Sequence, residues 1–147
     1  MTAERDRSAD CAFCAIARGE DQSVEVVCEG ESWVAFFPPE PATPGHTLII
    51  PRSHAPDLWS VEPPGAEDLM AAVAKVGRAI REAVVPEGLN LITSSGAAAE
   101  QTVYHAHLHV VPRWETDGFG EIWPPKGKLP GIDLEGIADR IREACRS

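Results

Sequence analysis

No stretch of eighteen or more apolar residues occurs in this 147-residue sequence, so a helical membrane span is not expected. The opening segment, Met1 to Asp10, is polar and charged and lacks the apolar centre of a secretory signal; a cytoplasmic protein is the simplest expectation. Positive charge is scarce. Thirteen Lys and Arg face 23 Asp and Glu, for a formal net charge of −10. That balance argues against backbone-driven binding to a nucleic acid polymer, which needs a basic surface. It leaves room for a small phosphorylated substrate, because a pocket can be locally positive on an acidic protein. Cysteine is limited to Cys11, Cys14, Cys28 and Cys145, too little for a disulfide framework in a chain without a secretion signal. Cys28 follows an apolar run and reads as a small buried hydrophobe. Internal repeats and low-complexity linkers are also missing. With 44% of residues hydrophobic, a single domain over 1–147 is expected, with a flexible start over 1–10 and a C-terminal extension over 114–147.

Val24 to Cys28 and Trp33 to Phe37 are β-rich runs joined by Glu29-Gly30-Glu31-Ser32, a hairpin signature. Four prolines between Pro38 and Gly45 exclude regular structure and predict a rigid loop. His46 to Pro51 reads as a buried strand. Leu69, Val73, Val76 and Ile80 recur at helical spacing and predict a long helix over roughly Gly65 to Val85, stopped by Pro86 and Gly88. Leu89 to Thr93 and Val103 to Pro112 read as strands around a small-residue loop, Ser94 to Gln101. Leu134 to Cys145 reads as a terminal helix. Strands joined by short turns on both sides of one long helix imply an antiparallel α+β sheet.

The chemistry concentrates in Tyr104-His105-Ala106-His107-Leu108-His109-Val110-Val111-Pro112-Arg113. Side chains alternate faces along a strand, so His105, His107 and His109 share one face and Ala106, Leu108 and Val110 the other. Two chemistries suit such a face: metal binding, and nucleophilic or acid–base catalysis. Residues two apart lie roughly 6.5 Å apart along a strand, so three in a row span about 13 Å and converge poorly on one ion. Division of labour between the three imidazoles is the more natural outcome. A neutral imidazole can attack phosphorus and leave again, splitting one hard step into two. Ser94, Ser95, Gly96, Gln101 and Thr102, in the loop before the strand, could direct donors at phosphate oxygens; ordinary turn chemistry is the competing explanation.

His-Ala-His-Leu-His-Val-Val resembles the His-φ-His-φ-His-φ-φ signature of the histidine-triad (HIT) family. Gln101-Thr102-Val103, Pro112-Arg113, Pro44-Gly45-His46-Thr47-Leu48-Ile49-Ile50-Pro51 and Cys11-Ala12-Phe13-Cys14 also fit, so the resemblance runs from about Cys11 to Arg113. It implies a five-stranded antiparallel sheet with one long helix, continued across a homodimer. It also implies hydrolase or transferase chemistry at the α-phosphate of a purine nucleotide or nucleotide conjugate. On that analogy His107 is the nucleophile, His109 and Thr102 contact the phosphate, His46 supports the catalytic imidazoles, and groups at Ser94, Gln101, Thr102 and Val103 hold the nucleotide. The sequence departs from the family at Pro38, where an acidic or amide residue often contacts ribose, and at Ser94, where Asn or Gln is frequent. Glu40 is a conceivable substitute for the sugar contact. Glu100 replaces a small residue, commonly Gly, and places a carboxylate beside the phosphate loop.

Cys11 and Cys14 have the spacing of a metal-ligand pair. With His54 and His105 they match, position by position, the zinc set of family members that begin with Cys-x-x-Cys. Such a zinc would be structural, because no coordination position stays open. Two free thiols or a redox pair are the alternatives. At the level of function, a non-catalytic nucleotide-binding module and an enzyme using all three strand histidines on one ion compete with the hydrolase. Trp114, Phe119 and Trp123 either pack the tail on the sheet or line a pocket, and Arg113 either neutralises phosphate or forms a salt bridge.

Overall fold

The computed structural model describes residues 10–125 and 131–147; nearly all of the expected flexible start, residues 1–9, lies outside them. Five strands form one antiparallel sheet: β1 (Val26–Glu29), β2 (Trp33–Phe36), β3 (Thr47–Pro51), β4 (Gly88–Ile92) and β5 (Leu108–Arg113), in the order β1-β2-β3-β5-β4. Among the described residues three α-helices accompany it: α1 (Ala12–Ala17), α2 (Pro63–Val84) and α3 (Leu134–Cys145). None of the described helices is long and apolar enough to cross a membrane.

Strand alternation decides where everything else sits. On β3 every residue is buried, because both faces of the sheet are covered. Ile49 joins Leu108 and Val110 of β5 and Ala35 of β2 under Leu69, Ala72, Val76 and Ile80 of α2. Leu48 and Ile50 point the other way and pack with Val34, Phe36 and the α1 residues Ile16 and Ala17. On β5, therefore, Leu108 and Val110 face α2, and His109 and Val111 fall on the α1 face. Cys28 is partly buried against the α2-side core.

The last strand is shorter at its start than the expected Val103 to Pro112. Its pairing begins at Ile49 with Leu108 and at Ile92 with His109. Before that point the chain finds other partners: the Ala106 N–H donates to the Ala55 carbonyl at 2.7 Å. Pro112 survives inside β5 because its level lies past the β3 pairing, which starts at Thr47 with Val110. Its carbonyl accepts the Thr43 hydroxyl at 2.7 Å, which ties the proline-rich loop to the sheet. Gly45, φ +90°, closes that loop; a Cβ there would lie 3.3 Å from Pro112 Cγ and 3.4 Å from Val84, so glycine meets both a backbone and a space requirement.

Helix α2 starts with Pro63 and Pro64 in its first turn, where the missing N–H groups cost nothing. It ends at Val85 in the left-handed conformation, φ 48° and ψ 57°, a position that suits glycine and strains a β-branched residue. Val85→Gly is expected to raise the melting temperature by about 3 °C, from relief of roughly 1 kcal/mol of backbone strain. Thermal denaturation checks this, and an unchanged or lower midpoint would show that the strain is absent.

Candidate active site

Cys11 caps the N-terminus of α1, its sulfur accepting the Cys14 N–H at 3.4 Å. That single turn puts both thiols on the sheet, where they meet two imidazoles. Cys14 Sγ lies 3.3 Å from His54 Nδ1 and 3.5 Å from His105 Nδ1, and Cys11 Sγ lies 3.5 Å from the same His105 nitrogen. The four candidate ligand atoms all fall within 4.8 Å of one another. A tetrahedral zinc with ordinary Zn–S and Zn–N bonds separates sulfur from nitrogen by about 3.6 Å. Donor chemistry and spacing therefore both fit a four-coordinate, closed metal site. His105 is completely buried, and its Nε2–H donates to the Pro51 carbonyl at 2.8 Å. This leaves the Nδ1 lone pair facing the thiols, the outer contact a ligating histidine needs.

The other three histidines form a second group, and their partners fix each tautomer. The Ala42 N–H donates to His46 Nδ1 at 3.0 Å, so that nitrogen carries no proton. Burial lowers the His46 pKa, so the ring is neutral and its proton sits on Nε2. That N–H donates to His109 Nδ1 at 2.9 Å. Burial first, then the neighbouring His107 and His46, push the His109 pKa down to about 4. His109 is thus neutral with its proton on Nε2. His107 makes the opposite choice: its Nδ1–H donates to the His105 carbonyl at 2.7 Å, leaving the Nε2 lone pair for attack. The His107 and His109 rings are 5.1 Å apart. Two neighbouring imidazoles therefore offer one nucleophilic nitrogen and one hydrogen-bond donor. The three strand histidines do not converge on one ion: His105 turns to the thiols, His109 to His46, and His107 stands between them.

Around them the loop residues divide differently from the sequence expectation. Gln101 is buried and spends its side chain on the loop itself: Oε1 accepts the Gly96 N–H, and Nε2 donates to the carbonyls of Pro56 and Val103. Its backbone N–H donates to the Gly96 carbonyl. Its role in this structure is to hold the loop in shape. Ser94 and Val103 are half-buried and Thr102 is exposed. Ser95 donates to Asp57 at 2.5 Å, a bond that, with Ser60, keeps the Asp57 carboxyl below the usual carboxylate range. Glu100 adopts φ 65° and ψ 25°, left-handed, which gives a backbone reason for glycine at this position. Arg113 is committed to the tail: it donates to Asp117 at 2.7 Å, to Asn90 at 2.8 Å and to the Gly120 carbonyl, and it stacks 4.3 Å over the Phe119 ring. Of the two expectations for Arg113, the salt bridge is the one formed in this structure. Trp123 stands 82% exposed and α3 buries no residue, so the expected packing of the tail on the sheet stops short of them.

Sequence reasoning missed Thr93, whose hydroxyl donates to the His107 carbonyl at 2.9 Å. It also missed the Ala42 N–H and the packing of Phe13, although Phe13 was in view between the two thiols.

The depressed His46 and His109 pKa values make stability fall with acidity. Unfolded histidine takes a proton near pH 6.5, while His109 in the fold resists until about pH 4. Across that window the unfolded chain binds more protons, so stability declines as pH drops. Melting temperatures measured from pH 7 to pH 4 are expected to fall, and to fall less in His109→Gln. Parallel profiles for the two proteins would remove His109 as the source.

Residues 19–116 match the HIT domain family. Among curated relatives, "Protein hit" of Bacillus subtilis (strain 168) is 39% identical over 140 residues, 94% of this chain and 96% of the relative. "Adenylylsulfatase HINT3" of Arabidopsis thaliana is 35% identical over 108 residues, 74% of this chain and 54% of the relative. Among solved structures, a Zn-bound histidine triad family protein from Mycobacterium smegmatis superposes with a TM-score of 0.71 at 34% identity, covering 93% of this chain and 99% of that one. With the three imidazoles, the Pro-Gly-His loop and the sheet order in place, these matches make this chain a member of the HIT family.

Proposed function

We propose that this protein is a nucleotide hydrolase that cleaves the bond between a nucleotide α-phosphate and its leaving group through a nucleotidyl-His107 intermediate. The tautomer of His107 carries the reading: with Nδ1–H held by the His105 carbonyl, the free nitrogen is the one that can attack. Nε2 forms a bond to the α-phosphorus, and the bond to the leaving group breaks, its electron pair departing with that group. Water then attacks phosphorus, the P–N bond breaks and its pair returns to Nε2. A nucleoside monophosphate is released, and the water's proton goes to solvent. His109, neutral and donating from Nε2, holds a phosphoryl oxygen in both steps. His46 supports it from behind. Thr102, Ser94 and the backbone around Val103 complete the phosphate cradle, with Gln101 bracing the loop. The substrate class is a purine nucleotide conjugate, such as a nucleoside phosphoramidate or dinucleoside polyphosphate. An adenylylsulfatase among the relatives adds adenylyl sulfate to the set, since it too has a leaving group on an adenosine α-phosphate.

Turnover of adenosine phosphoramidate, diadenosine polyphosphates and adenylyl sulfate by wild type and His107→Ala tests this. The variant is expected to lose at least 1,000-fold in kcat, and quenched wild-type reactions to carry a nucleotidyl group on His107. Equal rates in the two proteins, or label on another residue, would reject the mechanism.

We also propose that the Cys11, Cys14, His54 and His105 cluster holds a structural zinc, in a reducing compartment such as the cytoplasm that keeps both thiols from being oxidised; a zinc-bound member of the family among the similar structures supports this reading. The chain is further proposed to form a homodimer with the sheet continued through the β4 edge. Exposed Leu91, Ile122, Trp123, Leu134 and Ile141 are apolar surface that a second copy would cover. Native mass spectrometry reads both features: a species of twice the 15.8 kDa chain mass carrying two zinc ions is expected. Cys14→Ser is expected to lose the metal and to melt about 10 °C lower or more. A metal-free wild-type protein would sink the zinc assignment, and a monomer the dimer.

A further inference from the structure

We propose that Phe13 is a positioning residue for the attacking imidazole of His107. The proposal rests on the reading of His107 as nucleophile. Phe13 is the second of the two residues between the thiols of Cys11 and Cys14, in the first turn of α1. Cys11 on one side and Cys14 on the other both approach His105, so the backbone of Phe13 is tied to the sheet at two neighbouring points. Its ring is the meeting point of three others. It stands edge-on to His107, centroids 5.1 Å apart at an interplanar angle of 86°. It lies 6.0 Å from His105 at 75° and 5.5 Å from Phe36 at 72°. Phe36 is fully buried, which backs the ring against the core.

The need for such a contact follows from how His107 is held. The hydrogen bond from Nδ1 to the His105 carbonyl anchors one end of the imidazole and sets the tautomer. It leaves the ring able to tilt about that end, and the attacking Nε2 lies at the far end, where tilting displaces it most. An almost perpendicular aromatic ring in contact removes that freedom at no cost in charge, and it excludes water from the imidazole edge. Misplacement of a reacting atom by about 1 Å is worth as much as 100-fold in rate. The same short segment therefore serves two purposes: its thiols belong to the metal cluster, and its ring aligns the nucleophile.

Phe13→Leu tests this, because leucine keeps apolar volume against Phe36 and leaves all four cluster residues in place. Three readouts are taken on the zinc-loaded dimer: metal content, steady-state and single-turnover rates, and the imidazole signals of His107 in long-range proton–nitrogen spectra without substrate. The expected result is unchanged metal content, a fall of about 10- to 100-fold in kcat and in the rate of nucleotidyl transfer, and a smaller change in KM. The His107 ring is expected to show a sharp Nδ1–H tautomer in wild type and broadened or mixed signals in the variant. Phe13→Tyr, which keeps the ring, is expected to recover both rate and signals. If Phe13→Leu fails to fold, Phe13→Met carries the same comparison. Wild-type rates with wild-type His107 signals overturn the proposal. So does a change confined to KM, which would make Phe13 a wall of the substrate pocket instead. An active His107→Ala protein fails differently: it sinks the nucleophile assignment whatever Phe13→Leu does.

Discussion

The ring of His105 is completely buried and held at both nitrogens, and the rest of the site is arranged around it. Nε2 gives its proton to the carbonyl at the end of β3. Nδ1 faces the two thiols that start α1. The residue's own carbonyl receives the proton of His107 Nδ1. One residue therefore links the N-terminal helix, the central sheet and His107. A buried polar ring is tolerable only when each of its groups is satisfied; here both ring nitrogens are, and the backbone carbonyl of the same residue holds the neighbouring imidazole. Removing the His105 ring would leave the Pro51 carbonyl and the two thiols without their shared partner, while the backbone carbonyl that holds His107 would remain.

A second feature is that backbone groups set the histidine tautomers, without help from carboxylates. The amide of Ala42 and the carbonyls of Pro51 and His105 each dictate which nitrogen of a ring carries hydrogen. The placement of prolines follows from this. Pro51 and Pro112 occupy strand positions where the ladder can do without an N–H, and each turns its carbonyl to a residue of the site or its loop. The four prolines of 38–44 hold the loop that aims the Ala42 N–H at His46. Proline-rich composition thus helps set the tautomers of the clustered imidazoles.

Much of this was legible in the sequence. The helical period of Leu69, Val76 and Ile80 points to α2 within two residues at each end, whereas the period-two pattern places only His109 of the three histidines on the observed β5. The terminal helix was found with its observed bounds. The Cys-x-x-Cys spacing with His54 and His105 pointed to the four residues that the fold brings together. What remained hidden was tertiary. Nothing in local pattern distinguishes a Gln that touches phosphate from one that braces a loop, as Gln101 does, because both need the same amide in the same turn. Thr93 carried no signal, since its partner is a carbonyl fourteen residues away. β5 starts at Leu108, later than its composition suggests, because Val103 to His107 has strand composition but no partner strand at that level; pairing, not propensity, ends the strand.

The neutrality of the His46–His109 pair carries a last consequence, in specificity. With both rings uncharged and Arg113 tied to its tail, an anionic substrate meets oriented dipoles in place of a local cationic sink. Dipoles attract over short range and reward alignment, whereas a cluster of full charges would draw in phosphate, sulfate and carboxylate alike. On a chain of net charge −10, long-range repulsion acts on every anion alike, so a phosphorylated ligand would gain its affinity at short range, by alignment with the imidazole dipoles.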